Sequence, residues 1–188
     1  MRIATLNEML EEVVHLGEAT GTEAEAHELR GELEGRLAAV RAAVSGANRP
    51  RVVALERLDP PHAGGFWIPE MISIAGGDDV AGSPGLSPPS VGWGELAGLS
   101  PDVVVVAMAG GIGVEDARAQ AMEHWERIDE LGAGCVFIVE TTPALTKAGP
   151  RLVDGVELLG HLIHPDLVDA PGNIAFAQIS ADGTKTST

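Results

Sequence analysis

The sequence predicts an α/β fold: a parallel sheet flanked by helices and preceded by a long helix. Three observations carry this expectation. Short β-branched runs at Val52-Val53-Ala54-Leu55, Val103-Val104-Val105-Val106 and Cys135-Val136-Phe137-Ile138-Val139 read as strands buried on both faces. Stretches with apolar residues three and four apart fall between them, and alternating strands and helices make a parallel sheet covered on both sides. Gly and Pro, 24 and 12 of 188 residues, gather between these segments and punctuate them.

In chain order, residues 5 to 17 form a helix capped by Thr5 or Asn7, with Leu6, Met9, Leu10, Val13, Val14 and Leu16 as its apolar stripe. Gly17 and Gly21 weaken or break it. Thr22 with Glu25 fits a capping box for a second helix over 22 to 44, whose narrow seam of Leu29, Leu33, Leu37, Val40 and Val44 suits a helix lying across a surface. A strand over 51 to 55 leads into the loop Asp59-Pro60-Pro61-His62-Ala63-Gly64-Gly65. A helix with Pro69 near its start then runs to Gly76-Gly77. Residues 78 to 92 read as loop, 93 to 97 as a short helix, and 103 to 108 as the clearest strand. A helix over 114 to 130, the strand 135 to 139, a loop over 140 to 149 and a helix opened by Pro150 and stopped at His164-Pro165 complete the alternation. Residues 173 to 179 add a last strand. The expected organisation is a helical segment over 1–48, an α/β unit over 49–168 and a C-terminal extension over 169–188.

Composition excludes several functions. Asp and Glu number 28 against 12 Lys and Arg, a formal charge of −16, and no basic cluster offers a footprint for a phosphate backbone, so no nucleic-acid partner is expected. The longest apolar runs fall far short of the roughly 18 residues that cross a bilayer, so no membrane insertion is expected. The opening MRIATLNEMLEEVV carries glutamates where a signal peptide is apolar, so as it stands the sequence reads as cytoplasmic. One cysteine, Cys135, rules out an internal disulfide, and within an apolar strand its thiol is expected to be inert.

Parallel sheets bind ligands outside the carboxyl ends of their strands, here the loops Glu56 to Trp67, Ala109 to Gly113 and Glu140 to Lys147. Gly111 and Gly113 match the first two glycines of a dinucleotide loop, but Asp116 stands at the third and two acids open the helix, so a plain strand-to-helix turn is the reading. His161 and His164 lack a third ligand at metal-site spacing and read as a solvated helix end, and His124 reads as a surface residue. No Gly-x-Ser-x-Gly elbow or other catalytic set occurs, so the chain is read as a non-enzyme with neither metal nor cofactor. Beside Gly64-Gly65, Phe66 is read as stapling the loop to the core, while Trp67 and His62 stay open between support and stacking on a flat ligand.

These motifs also carry a resemblance. The run VVALERLDPPHAGGFWIPEMISIAGG resembles the start of the C-terminal lobe of solute-binding proteins from cobalamin and iron-siderophore ABC importers, and looks most like the cobalamin-binding branch. WGELAGLSPDVVVVAMAGG is similar to that family's Trp-containing helix and following strand, and AGPRLVDGVELLGHLIHP to its closing helix. TLNEMLEEVVHLGEATGTEAEAHELRGELEGRL resembles the segment that forms the long helix bridging the two lobes. The resemblance spans residues 5 to 167. It departs from the family pattern where Arg57 and Pro143-Ala144-Leu145 replace aromatics, Gly110-Gly111 replaces Gly-Phe, and His62 replaces a bulky apolar residue.

The resemblance implies the C-terminal lobe of a class III periplasmic-binding-protein fold with its bridging helix, in an extracytoplasmic protein whose beginning precedes Met1. Its ligand would be cobalamin, a related corrinoid or a siderophore, carried as cargo. The implied ligand-facing residues are His62, Phe66, Trp67, Gly110, Gly111, Glu140 and Thr141, with Arg57 meeting a carboxylate or amide in place of stacking. Its partners would be an ABC permease and ATPase, docked through Glu95. The alternative is a stand-alone cytoplasmic interaction or homodimerisation module derived from such a protein.

Overall fold

Four consecutive valines leave a strand no polar side to turn outward, so Val103–Val106 can only sit at the centre of a sheet covered on both faces. The computed structural model places it there and describes residues 3–108, 110, 113–140 and 143–179. The elements are α1 (Leu6–Thr20), α2 (Glu23–Ala43), β1 (Arg51–Leu58), β2 (Pro61–Ala63), α3 (Ile68–Ile74), β3 (Asp78–Asp79), α4 (Trp93–Gly98) and β4 (Val103–Val106). They continue with α5 (Val114–Glu123), α6 (Trp125–Asp129), β5 (Cys135–Val139), α7 (Pro143–Thr146), α8 (Leu152–Ile163) and β6 (Phe176–Ile179).

The sheet runs β2-β1-β4-β5-β6. Its parallel core, β1, β4 and β5, pairs Val52 with Val103 and Val103 with Cys135. The free edge of β1 is shared: β3 pairs parallel with its first residues, and β2 folds back antiparallel against its last. The expected α/β sheet is present, with antiparallel strands added at both edges, β2 inside the stretch expected to be loop and β6 beside β5.

Alternation along the strands sorts the core into two faces. Val52, Ala54, Val103, Val105, Phe137 and Val139 pack with α1, α2, α3 and α8. Val53, Leu55, Val104, Val106, Val136 and Ile138 pack with α4, α5 and α6. Leu6, Leu33, Leu37 and Val40 are buried in the first of these, so α1 and α2 rest on the same core as the sheet.

Several local expectations shift. Thr5 caps α1 in a full capping box with Glu8, and α1 runs through Gly17, where a side chain would collide with Ala26 of α2. It stops at Gly21, whose φ of 73° suits glycine. The capping box expected of Thr22 does not form, because its hydroxyl pairs with that of Thr20 at 2.8 Å. The helix expected over 114 to 130 breaks at His124, which closes α5 and opens α6. The loop after β5 carries the short α7.

Candidate functional site

The last residues of β1 build the site. A bulge between Leu55 and Arg57 breaks the simple alternation, so Glu56 and Arg57 both emerge at the carboxyl end of the sheet. Two cavities meet there. An open cleft of about 500 Å³ is lined by Glu56, Arg57, Leu58, Asp59, His62, Pro88, Met108, Gln120, Glu123 and His124. A smaller slot of about 140 Å³ is lined by Ala54, Glu56, Gly65, Phe66, Trp67, Ile68, Ala107, Leu145 and Thr146. The slot lies on the α3 and α8 face and the cleft on the α4 and α5 face, as the core partners of Trp67 and of Met108 show. Glu56 lines both.

Glu56 accepts a hydrogen bond from the Gly65 N–H at 3.0 Å. Burial pushes its carboxyl up, and the Gly65 N–H and His62 oppose that only in part. Gly65 must be glycine here, since a side chain would run into the backbone of Pro88. Next to it Phe66 sits at φ 52°, a left-handed conformation unusual for a bulky residue, fixed by its N–H to Leu86 O at 2.6 Å and its carbonyl to Gly85 N at 2.8 Å. The strained backbone turns the ring into the slot beside Trp67, with ring centroids 5.8 Å apart. Leu86 stays 63% exposed on the lip of the loop that holds Phe66.

Asp79 anchors that loop from β3. Its Oδ1 accepts from Ala81 N at 2.9 Å and Gly82 N at 2.6 Å, while Oδ2 is buried without a hydrogen-bond partner. Burial pushes this carboxyl up too, against those two N–H groups.

The structure brings together some of the residues singled out from sequence. Arg57 and His62 face each other across the β1–β2 pair in the cleft, Nη2 lying 2.7 Å from Nε2. Phe66 and Trp67 share the slot: Trp67, left open between support and stacking, is the buried support, its Nε1 donating to Leu145 O at 2.8 Å, and Phe66, expected to staple the loop, packs half-buried against the core and lines the cavity. Gly110, at φ 130°, lies beyond β4 outside both walls. The Glu140 carboxylate accepts from Ala175 N at 3.0 Å, tying β5 to the entry of β6. Gly111 and Thr141 lie outside the described residues. Glu95 is exposed in the first turn of α4.

Sequence reading missed one wall of the cleft. His124 is half-buried at the helix break, stacked on Trp93 with centroids 6.4 Å apart, and lines the cleft with Gln120 and Glu123. Only the fold puts the end of α5 opposite β1. Leu145 and Thr146 reach the slot because the expected loop coils into α7. His161 and His164 are not a solvated end: Nδ1 of His161 lies 2.9 Å from Val168 O, and Nε2 of His164 lies 3.2 Å from Gly76 O. Among the described residues no group of three His, Cys, Asp or Glu is placed to hold a metal ion, and no helix is long and apolar enough to cross a membrane.

Residues 4–132 match the sequence profile of the periplasmic binding protein family. The chain belongs to that family. Comparison with curated proteins finds no match. Among solved structures, an ABC transporter substrate-binding protein from Listeria monocytogenes superposes with a TM-score of 0.76 at 17% identity, covering 87% of this chain and 66% of that one. The Staphylococcus aureus protein IsdE, solved with heme, gives 0.73 at 18% identity over 86% of this chain and 66% of its own. The Vibrio cholerae periplasmic vitamin B12 binding protein BtuF gives 0.70 at 19% over 86% and 62%. The chain therefore spans less than two thirds of these relatives, and at such identities the likeness is one of fold. Family and neighbours alike are binding proteins.

Proposed function

We propose that this chain forms the C-terminal lobe and interlobe helix of an ABC importer's solute-binding protein, presenting one wall of a cleft for a corrinoid or a related metal chelate such as a siderophore. The observation that carries this reading is the pairing of slot and cleft at the carboxyl end of β1, with Phe66 held at φ 52° to display its ring. An apolar slot beside a polar cleft suits a ligand with a flat apolar body and polar margins. The neighbours solved as vitamin B12 and heme binders support that ligand class. In this reading α2 is the strut between lobes. Its narrow buried stripe of Ala26, Leu33, Leu37 and Val40 leaves a wide outer face. Glu95, exposed on α4, is the residue that meets the permease.

One wall makes about half the contacts of a clamp, and each 1.4 kcal/mol lost is about a factor of ten in affinity. Titration of residues 1–188 with cyanocobalamin is therefore expected to give binding weaker than micromolar, with resonance shifts at Phe66 and the Trp67 indole. Sub-micromolar affinity in calorimetry would refute the one-wall reading. A spectrum unchanged at both rings at millimolar cyanocobalamin would refute the corrinoid reading. Glu95→Lys is expected to weaken co-sedimentation with permease-containing membranes while leaving the fold intact.

A further inference from the structure

Residues 79–91 form a strap rooted beside β1 at Asp79 and Val80 and bonded beyond that to the turn that builds the site. Phe66 N–H donates to Leu86 O at 2.6 Å, and Gly85 N–H to the Phe66 carbonyl at 2.8 Å. Ala63 N–H donates to Pro89 O and Val91 N–H to Pro61 O, both at 3.0 Å. Gly82 packs so closely on the Gly64 carbonyl and Pro69 that a side chain there would collide with both. All of these contacts fall on residues 61–69, so the strap pins Phe66 at φ 52° and brings Pro88 into the cleft wall. Asp79 itself lines neither the slot nor the cleft.

The root of the strap is chemically unbalanced. Asp79 Oδ1 accepts from Ala81 N–H at 2.9 Å and Gly82 N–H at 2.6 Å, while Oδ2 is buried with no partner. An ionised carboxylate spreads its charge over both oxygens, so part of that charge is dehydrated and uncompensated. A proton on Oδ2 removes the charge and leaves Oδ1 accepting both N–H groups. The neighbouring charges are engaged elsewhere. Arg49, in the groove beside Asp79, gives its N–H groups to Asp78, Ser73 and Gly77. Glu70 of α3 turns to Leu6 N–H, and on β1 Arg51 turns to Leu99 O, Glu56 to Gly65 N–H and Arg57 to His62. Residues 80–91 carry no charged side chain. Burial accordingly prevails over the two N–H groups and pushes the Asp79 carboxyl up.

We propose that Asp79 is a positioning residue for the ligand site and makes that site proton-dependent: the strap holds Phe66 more firmly when Asp79 is protonated than when it is ionised. Opening the strap returns the carboxylate to water, so opening is easier once the group has ionised. The closed strap binds the proton more tightly than the open one, in which the carboxyl has its ordinary value of 3.8. The hold is therefore full below 3.8, weakens as pH rises through the closed-strap pKa, and is constant beyond it. A released strap takes away the partners of the Phe66 backbone, and the slot loses the wall that the ring provides. The inference rests on the slot belonging to the ligand site proposed above, and adds that its shape is linked to a proton held outside both cavities.

The test needs neither ligand nor importer. Amide hydrogen exchange of the whole chain is measured from below pH 3.8 to neutral pH, each rate being divided by that of an unstructured peptide at the same pH. Protection at Phe66, Gly82 and Gly85, relative to Val104 in the central strand, is expected to fall at least ~3-fold as pH rises and then to level off. Asp79→Asn keeps an acceptor for both N–H groups and removes the titration, so it is expected to flatten that profile. Asp78→Asn, at the neighbouring exposed carboxyl, is expected to leave it unchanged. In the wild-type chain the Asp79 carboxyl carbon and the Phe66 amide should titrate with one midpoint, a comparison that needs no variant. A flat wild-type profile would overturn the inference, as would an unchanged profile in a folded Asp79→Asn, or two different midpoints. If the profile is flat while cyanocobalamin shifts Phe66 and Trp67, only the role of Asp79 falls. If the profile depends on Asp79 and cyanocobalamin shifts neither ring, the corrinoid reading falls and Asp79 still positions the strap.

Discussion

The indole Nε1–H of Trp67 donates to the carbonyl of Leu145 at 2.8 Å across 78 residues of sequence. One bond thus joins the turn between β2 and α3 to α7 after β5, closing the slot from both sides. Its neighbour Phe66, half-buried, contributes a wall of the slot and packs against the rim of the same core. Two adjacent aromatics therefore divide support from display.

That division is measurable. Trp67→Phe leaves the Leu145 carbonyl unpaired in a buried place and is expected to cost about 1–3 kcal/mol in chemical denaturation. Phe66→Gly is expected to stay within about 1 kcal/mol of wild type, since glycine adopts φ 52° without the roughly 1–2 kcal/mol penalty of a side chain there. Equal losses at both positions would contradict the assignment.

Arg36 joins α2 to α8, its Nε and Nη2 donating to Glu157 at 2.8 and 2.6 Å and Nη2 also to Asp154 at 2.7 Å. The bonds to Glu157 and Asp154 push the guanidinium further up, outweighing burial. Burial acts to raise Asp154, but hydrogen bonds from Arg36, Asn173 and Arg151 prevail and hold its carboxyl below the usual 3.8. A depressed carboxyl gives stability that is present above its unfolded pKa and is lost as pH falls through the folded one. Because Arg36 is 32% exposed, Arg36→Gln is expected to cost only about 1 kcal/mol at neutral pH. Denaturation midpoints of variant and wild type should converge on acidification well below pH 3.8. A constant difference across that range would show that the pair does not carry the effect.

Glu56 has the opposite sign. Its carboxyl is pushed above 4.5 by burial, so the folded chain holds its proton longer than the unfolded chain does. Stability is then full below 4.5 and declines as pH rises toward the folded pKa, beyond which the loss is constant. Glu56→Gln keeps an acceptor for the Gly65 N–H and removes the charge. It is expected to be more stable than wild type at neutral pH and to show no such gain in acid. Thermal melts at both pH values check this, and a gain that persists in acid would point to packing.

The strands and most helices were legible because their signals are local. Runs such as Val103–Val106 and the stripe through Leu33, Leu37 and Val40 declare period and burial within a few residues. The antiparallel β2 was not legible, since Pro61-His62-Ala63 becomes a strand only when β1 offers its free edge and Ser90 covers the other side. The break at His124 was equally hidden, because nothing in an Ala- and Glu-rich stretch signals a ring stacked on the distant Trp93.

The sequence by itself determined the α/β class, the order of strands and helices, and the loops at the carboxyl ends where a ligand would sit. Hydrophobic periodicity and turn residues are properties of neighbours along the chain, so composition and spacing suffice for these. Tertiary structure alone decided which residues form the site. Trp67 turned inward because a carbonyl 78 residues away needed its N–H, Phe66 turned into the slot because its backbone was pinned to Gly85 and Leu86, and His124 arrived from the end of a helix. Each depends on a partner far away in sequence, and whether a polar group is satisfied is settled only when those partners meet.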